Sequence, residues 1–362
     1  MGKLLARQGK CCEFTTHTDK AQQLFERSLA IFDRLGAWQE TALSLHGLGY
    51  MAHIKGEYER AEQYLGKSLD VYRKTEERWG IANALNNLCL VARRQGVFSA
   101  GKERCRESLS IRREVGDQKG IASSLSNLGL IHCALGEYIE AQKVLQEALQ
   151  ICRQLDYRIG IANALTGLCQ AAFRLEEIEA AEQFGQECLA LYQDIGDQWG
   201  VAIAYNNLGH MAMESGDYAK AKRLFQDGIA TYRQIGIKSG LANTLGNLGE
   251  VCHSLGEFAE AREHLHEALQ IAQEIGAIPI VLDTLVGLAP LLGQEGKTVQ
   301  GLELLAFAMH HPAILQAVKE KAAALFSELA MGVSPDAAVE ARARGQTREL
   351  DEVVATVKTF GV

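Results

Sequence analysis

The sequence is poor in proline, in clustered charge and in long apolar runs. All four prolines lie beyond residue 278, and because proline inside a helix costs about 3 kcal/mol, the preceding stretch suits uninterrupted helices. No apolar run approaches the ~18–20 residues that a membrane span needs, and the N-terminus lacks the apolar segment of a secretory signal. The net charge of −8 is spread along the chain. It therefore disfavours both nucleic acid and a membrane as partners.

The cysteines give no sign of a metal site or a cross-linked framework. The nine cysteines form no C-x-x-C pair and their number is odd, so we expect neither zinc nor a disulfide framework, and a reducing cytoplasm as the location. Four of the cysteines stand where other units of the repeat described below have small residues. We interpret these four as small buried hydrophobes: Cys89, Cys169, Cys188 and Cys252.

No set of catalytic or cofactor-binding residues can be assembled from the sequence. The string 293–298, GQEGKT, is similar to a phosphate-binding loop, but Leu291 stands where that loop needs a glycine, and a predicted helix precedes it. His264 and His266 lie two residues apart, whereas a metal-binding pair on a helix needs a spacing of four. We therefore expect a chain without enzymatic activity, cofactor or metal.

What the chain does have is an internal repeat with a period of 40 residues. Three series of residues recur at this step, the third with Glu176 in place of one glycine: Gly80, Gly120, Gly160, Gly200 and Gly240; Leu88, Leu128, Leu168, Leu208, Leu248 and Leu288; and Gly56, Gly96, Gly136, Gly216, Gly256 and Gly296. Periods of 20–50 residues are typical of stacked supersecondary units.

One unit, residues 120–156, predicts a pair of helices. Its first apolar stripe has helical spacing, Gly136 ends that helix, and Glu137 opens a second amphipathic one. Glycines such as Gly116 end the second helix, where a left-handed cap favours them. Asp117 and Asp197 are the predicted N-caps of the next units.

Small residues at fixed positions indicate close packing of these helices. Gly49, Gly129, Gly209 and Gly249 lie inside the first helix, although glycine costs about 1 kcal/mol there. Alanine recurs in the second helix at positions 61, 141, 181, 221 and 261. With the Gly136-Glu137-Tyr138 turn, this pattern resembles the tetratricopeptide repeat, in a 40-residue form similar to the Pins/LGN scaffolds and to the MalT-like arrays of bacterial LuxR-type and STAND-type regulators.

The resemblance implies an all-α, right-handed superhelix of about seven helix hairpins with a C-terminal helical cap. We expect an irregular, truncated start at residues 1–16, the repeat array at 17–310 and the cap at 311–362. The cap is predicted to hold helices at about 313–331, 335–344, with Ser334 as N-cap and Pro335 in first position, and 347–360.

Polar columns on the first helices, opposite the leucine stripe, form the candidate site. An amide both donates and accepts hydrogen bonds, so asparagines here could hold an extended peptide, or could instead bond neighbouring helices. The asparagines of these columns are Asn83, Asn86, Asn87, Asn127, Asn163, Asn206, Asn207, Asn243 and Asn247. Charge also changes sign along the array: Arg93, Arg94 and Arg174 come early, and Glu214, Glu250 and Asp283 come late. This sign change is either a random surface feature or a polarised groove that orients a peptide, with its acidic portion toward Arg93 and Arg94.

In the resembled family the equivalent face lines a concave groove that binds peptides. We therefore expect a protein-interaction scaffold that binds a partner peptide in this groove. The alternative is the ligand-sensing portion of a LuxR-type or STAND-type signal-transduction regulator, with a peptide or a small molecule as ligand. A third hypothesis is self-association through the N-terminal edge.

Overall fold

The structure is a computed structural model that describes residues 18–359, and every regular element in that range is an α-helix. The helix bounds are α1 Thr18–Leu35, α2 Trp38–Lys55, α3 Tyr58–Lys74, α4 Arg78–Arg94, α5 Phe98–Val115, α6 Gln118–Ala134, α7 Tyr138–Gln154, α8 Arg158–Arg174, α9 Ile178–Ile195, α10 Gln198–Glu214, α11 Tyr218–Ile235, α12 Lys238–Ser254, α13 Phe258–Glu274, α14 Ile278–Gln294, α15 Thr298–His310, α16 Gln316–Ala330, α17 Pro335–Gln346 and α18 Leu350–Thr359.

The helices belong to two compact units, which divide the chain after Gly196. In the first unit α1 is followed by four hairpins, α2–α3, α4–α5, α6–α7 and α8–α9. In the second unit the hairpins α10–α11, α12–α13 and α14–α15 precede α16, α17 and α18. We call the leading helix of each hairpin its first helix and the other its second helix. The all-α prediction of about seven hairpins is confirmed, whereas the expected irregular start at 1–16 lies outside the described residues.

The turns use the residues that the sequence indicates. Gly116 and Gly136 adopt φ angles of 73° and 76°, in the left-handed region that glycine enters without steric cost. The Asp117 and Asp197 carboxylates accept hydrogen bonds from the backbone N–H groups of Gly120 and Gly200, the third residues of their helices, at 3.0 and 3.1 Å. Both predicted caps are confirmed. Glu176 replaces the turn glycine of its repeat, yet keeps a φ of 62°.

The glycines inside the first helices mark close contacts within each hairpin. A Cβ added to Gly129 would lie 2.4 Å from Leu145 Cγ, and one added to Gly249 would lie 2.6 Å from Leu265 Cγ. Both leucines are fully buried. The glycine therefore admits a large side chain from the second helix, which confirms the predicted close approach and offsets the helix-propensity cost of glycine.

One hairpin replaces this glycine–leucine pair by a disulfide, and here the sequence-based expectation is wrong. Cys89 of α4 and Cys105 of α5 are both fully buried and form a disulfide with a Cα–Cα distance of 5.6 Å. They occupy the positions that Gly129 and Leu145 hold one repeat later, so the fold brings their side chains together. The other cysteines interpreted as hydrophobes, Cys169, Cys188 and Cys252, are buried free thiols, as predicted.

The C-terminal helices follow the predicted order. Ser334 accepts a hydrogen bond from the Ala337 N–H at 3.2 Å, and Pro335 begins α17. The preceding array helix, α15, ends at His310. The domain bounds derived from the sequence stay a prediction. Within the described part of the chain, no helix has the length and apolarity that crossing a membrane requires.

Candidate functional site

The first-helix columns are only partly open to solvent. Among the predicted groove residues, two are buried, Asn86 and Asn247, and four are exposed, Asn163, Asn243, Arg94 and Arg174. The other seven are half-buried: Asn83, Asn87, Asn127, Asn206, Asn207, Arg93 and Glu250. The columns therefore combine packing positions with surface positions.

Several asparagines bond the first helices of adjacent repeats to one another. In the first unit the Asn86 Oδ1 accepts hydrogen bonds from Asn127 Nδ2 at 3.0 Å and from Ser124 Oγ at 3.3 Å. In the second unit the Asn206 Oδ1 accepts from Asn247 Nδ2 at 3.2 Å and from Thr244 Oγ1 at 3.1 Å. The two arrangements are 120 residues apart and equivalent. Their shared function is to pair buried polar groups between helices.

Other asparagines are anchored by histidines or by the second helix. Asn87 Nδ2 lies 3.0 Å from His46 Nε2, and Asn247 Nδ2 lies 2.9 Å from His210 Nε2. On the next column Asn83 accepts a hydrogen bond from Arg112 at 2.7 Å, and Asn163 accepts one from the Tyr192 hydroxyl at 2.8 Å. These two hydrogen bonds are equivalent, because Asn83 and Asn163 lie two repeats apart, and so do Arg112 and Tyr192. The structural interpretation left open by the sequence thus applies to most of the asparagines.

The last turn of α4 carries two cations, Arg93 and Arg94, that have no acidic neighbour in the described part of the chain. Within residues 18–359, neither Arg93 nor Arg94 has a carboxylate partner, and the Arg93 Nε is buried without a hydrogen-bond partner. Burial, followed by the charge of Arg94, lowers the pKa of Arg93 to about 10. His53, on the preceding first helix, has its pKa lowered to about 4 by burial and by the same two arginines.

Arginines elsewhere in the first unit are treated differently. On three second helices an arginine donates a hydrogen bond to a glutamate 34 residues later, with N–O distances of 2.7–3.0 Å: Arg73 to Glu107, Arg113 to Glu147, and Arg153 to Glu187. This regular pairing neutralises the second-helix surface. The cations at the end of α4 differ from these paired arginines, and an anionic group could approach them favourably.

Two of the three carboxylates at the acidic end of the predicted polarised groove share one ammonium from the chain itself. The Lys321 ammonium of α16 forms ion pairs with Glu250 of α12 and with Asp283 of α14, the latter at 3.6 Å. Burial lowers the pKa of Lys321, but the two carboxylates outweigh burial and the net shift is upward. The sequence could not indicate this contact, because α16 lies outside the repeat.

The string 293–298 has the structure of an ordinary hairpin turn. Helix α14 runs to Gln294, Gly296 adopts a φ of 76°, and Lys297 Nζ pairs with Glu295 at 2.9 Å. A group suited to metal ligation lies instead in the hairpin α12–α13, where donor atoms of Cys252, Glu260 and His264 lie within 4.8 Å of one another. The sequence-based search missed it because Cys252 and Glu260 lie on different helices and only His264 was considered.

Comparison with known proteins gives a family and a set of structural relatives. The sequence profile of the tetratricopeptide repeat matches residues 4–74, 80–154, 120–194 and 200–274. No curated protein sequence matches the chain.

The solved structures with the same fold include a Rap protein and the quorum sensor NprR. The Rap protein complexed with Competence and Sporulation Factor has a TM-score of 0.69 at 13% identity, covering 99% of this chain and 98% of its own. The apo quorum sensor NprR from B. thuringiensis has a TM-score of 0.58 at 16% identity, covering 98% of each chain. NprR in complex with its cognate peptide NprX has a TM-score of 0.56 at 15% identity, covering 99% of this chain and 97% of its own. At these identities the likeness establishes the fold.

Proposed function

Because the chain belongs to the tetratricopeptide repeat family, we propose that it is a non-enzymatic scaffold that binds a peptide segment of a partner protein along its first helices. In the first unit the peptide lies across α4, α6 and α8, with an acidic portion at Arg93 and Arg94. In the second unit the corresponding positions are Asn206, Asn207, Asn243, Asn247 and Glu250. Neither nucleic acid nor a membrane is among the proposed partners, in line with the net charge of −8.

The observation that carries the proposal is the pair of cations at the end of α4. The half-buried Arg93 has lost part of its hydration, which is unfavourable unless a carboxylate or another acceptor compensates for it, and the exposed Arg94 places a second positive charge beside it. The second-helix arginines have such acceptors in the next repeat, whereas Arg93 and Arg94 have none among the described residues. An acidic ligand would supply the missing partner.

Two further observations support a peptide as the ligand. Asn163, on the same face, is exposed while its Oδ1 accepts a hydrogen bond from Tyr192, which fixes the orientation of the amide next to solvent. Fixed amides can hold a peptide backbone without regard to its side chains. Two of the relatives with this fold were solved in complexes, the Rap protein with Competence and Sporulation Factor and NprR with its cognate peptide NprX.

Charge reversal of the two arginines tests the proposal. We expect the wild-type chain to bind short synthetic peptides that end in Asp and Glu more tightly than scrambled or Lys-ended peptides, measured by fluorescence anisotropy. Arg93→Glu with Arg94→Glu should weaken that binding by about 100-fold or more, because two charge-assisted contacts become repulsive. The matched control is Arg73→Glu with Arg113→Glu, which reverses two second-helix arginines and should leave affinity within about twofold.

Circular dichroism is the control for folding, and both variants should remain as helical as the wild type. If the Arg93/Arg94 variant binds acidic peptides as well as the wild type does, the ends of α4 are not the binding surface. If both variants lose affinity equally, peptide binding depends on the overall charge of the chain, and the assignment of the binding site to the first helices is wrong.

A second candidate function is the ligand-sensing portion of a bacterial regulator. It is favoured by the contact of Lys321 with Glu250 and Asp283, because a ligand competing for these carboxylates would release α16. Hydrogen exchange in α16 should then increase when a basic peptide saturates the chain. Exchange that stays unchanged at saturation would favour the simple scaffold.

Location and self-association remain predictions. The cytoplasmic location rests on the composition, and the Cys89–Cys105 disulfide counts against it because disulfides are rare in the cytosol. Self-association through the N-terminal edge predicts a mass in light scattering that rises with concentration.

A further inference from the structure

The hairpin α12–α13 brings together three side chains with different metal-binding atoms. Cys252 lies near the end of α12, and Glu260 and His264 lie one turn apart on α13. The Sγ of Cys252, a carboxylate oxygen of Glu260 and a ring nitrogen of His264 all lie within 4.8 Å of one another. The cluster thus has the compactness that ligands of a single ion require.

This combination departs from the packing pattern of the repeat. At the position of Cys252 four of the five earlier repeats have alanine, at residues 52, 92, 172 and 212, and the fifth has His132. At the position of His264 the three preceding repeats have Val144, Phe184 and Leu224. Alanine and an apolar residue therefore satisfy the packing at these two positions. No other described hairpin has a thiol and an imidazole there together.

We propose that Cys252, Glu260 and His264 bind a zinc ion, which takes the place of the Lys222 ammonium beside Glu260. Thiolate, imidazole and carboxylate are the three ligand types of protein zinc sites, whereas magnesium and calcium prefer oxygen alone. Three protein ligands leave the fourth tetrahedral position for water. When the zinc–sulfur bond forms, the thiol proton leaves to solvent.

The neighbouring charges already favour a cation at this place. Lys222 Nζ lies 2.7 Å from both Glu257 and Glu260. One ammonium therefore serves two carboxylates, and Glu260 can bind a metal while Lys222 keeps its contact with Glu257. Zinc and the ammonium compete for Glu260, which makes Lys222 a determinant of metal affinity.

A second hairpin of the same chain provides an internal comparison. At α6–α7, 120 residues earlier, Lys102 of the preceding helix α5 pairs with Glu137 at 2.6 Å, and His132 Nδ1 of α6 lies 2.5 Å from the same carboxylate. That hairpin has Val144 at the position of His264. It reproduces the lysine–glutamate pair but lacks the full ligand set, so it should not bind zinc.

Zinc titration of the full chain with a chromophoric competing chelator tests the inference, independently of peptide binding. We expect one zinc per chain, with no uptake of Mg²⁺ or Ca²⁺. Cys252→Ala and His264→Leu each restore the residue found 40 positions earlier, so both variants should fold, as thermal melting followed by circular dichroism will check. Each should weaken zinc binding by more than about 100-fold. Losing a residue that only orients a metal ligand costs up to about 100-fold, and losing a ligand itself should cost more.

Two controls complete the test. His132→Ala should leave zinc binding unchanged, and Lys222→Met should tighten it by about tenfold because the competing ammonium is removed. Absence of zinc binding by the wild type, or equal binding by wild type and Cys252→Ala, would overturn the site. Unchanged or weaker binding by Lys222→Met would overturn the exchange of the ammonium for zinc.

Discussion

Two asparagines on α12 should respond in opposite ways to the same substitution. Asn247 is buried, with its Nδ2 3.2 Å from Asn206 Oδ1 and 2.9 Å from His210 Nε2. Asn243, one turn earlier on the same helix, is exposed. Replacing each with alanine therefore separates a structural amide from a surface amide within one helix.

The size of the difference follows from the contacts. Both substitutions gain about 0.5 kcal/mol of helix propensity, since alanine is the better helix former. Asn247→Ala also loses two hydrogen bonds that contribute about 1 kcal/mol each. We therefore expect Asn247→Ala to lower the free energy of unfolding of this region by about 1–2 kcal/mol. Asn243→Ala should leave it unchanged or raise it by about 0.5 kcal/mol.

Hydrogen exchange of the α12 amides is the suitable assay, because repeat arrays open locally rather than in a single two-state transition. The full chain is used for both variants. Faster exchange in Asn247→Ala only would agree with the structure. Equal exchange in the two variants would refute the assignment of Asn247 as a helix-to-helix contact, and the column would then be available to a ligand along its whole length.

Three further predictions concern packing, cross-linking and pH. Gly129→Ala should destabilise the chain by about 1–3 kcal/mol in urea unfolding because its Cβ would overlap the facing leucine, whereas Gly66→Ala, with open space around it, should stabilise by up to about 1 kcal/mol. Reducing the Cys89–Cys105 disulfide, which closes a separation of 16 residues, should cost about 3 kcal/mol. The Cys89→Gly, Cys105→Leu double variant should melt at the same temperature with and without reductant. Burial lowers the pKa of His53 to about 4 from 6.5, so the unfolded chain binds that proton first. The free energy of unfolding should therefore fall by up to about 3 kcal/mol as pH drops from 6.5 to 4. In His53→Gln this dependence on pH should be weaker.

The hairpins could be predicted from sequence because their determinants are local and repeated. Gly136 ends a helix and Asp117 caps one through contacts within a few residues, and the same chemistry recurs every 40 positions. Ser334 and Pro335 gave the start of α17 by the same local logic. Repetition turned a weak signal at each position into a strong one.

The features that could not be predicted from the sequence depend on contacts between different helices. Cys89 and Cys105 each fit a buried small or apolar position, and only the facing of the two helices makes them partners. Some asparagines are buried and others exposed because of how closely adjacent first helices approach. Periodicity alone does not specify that approach. Lys321 reaches Glu250 from a helix outside the repeat.

Photo-crosslinking is the most direct measurement of the proposed peptide surface. A synthetic peptide with a photoreactive group beside its acidic end is bound to the full chain, irradiated, and the labelled residues are identified by mass spectrometry. The structure predicts labelling at the end of α4, around Arg93 and Arg94, and on the exposed positions of α6 and α8. Labelling confined to the second helices α3, α5 and α7 would contradict it.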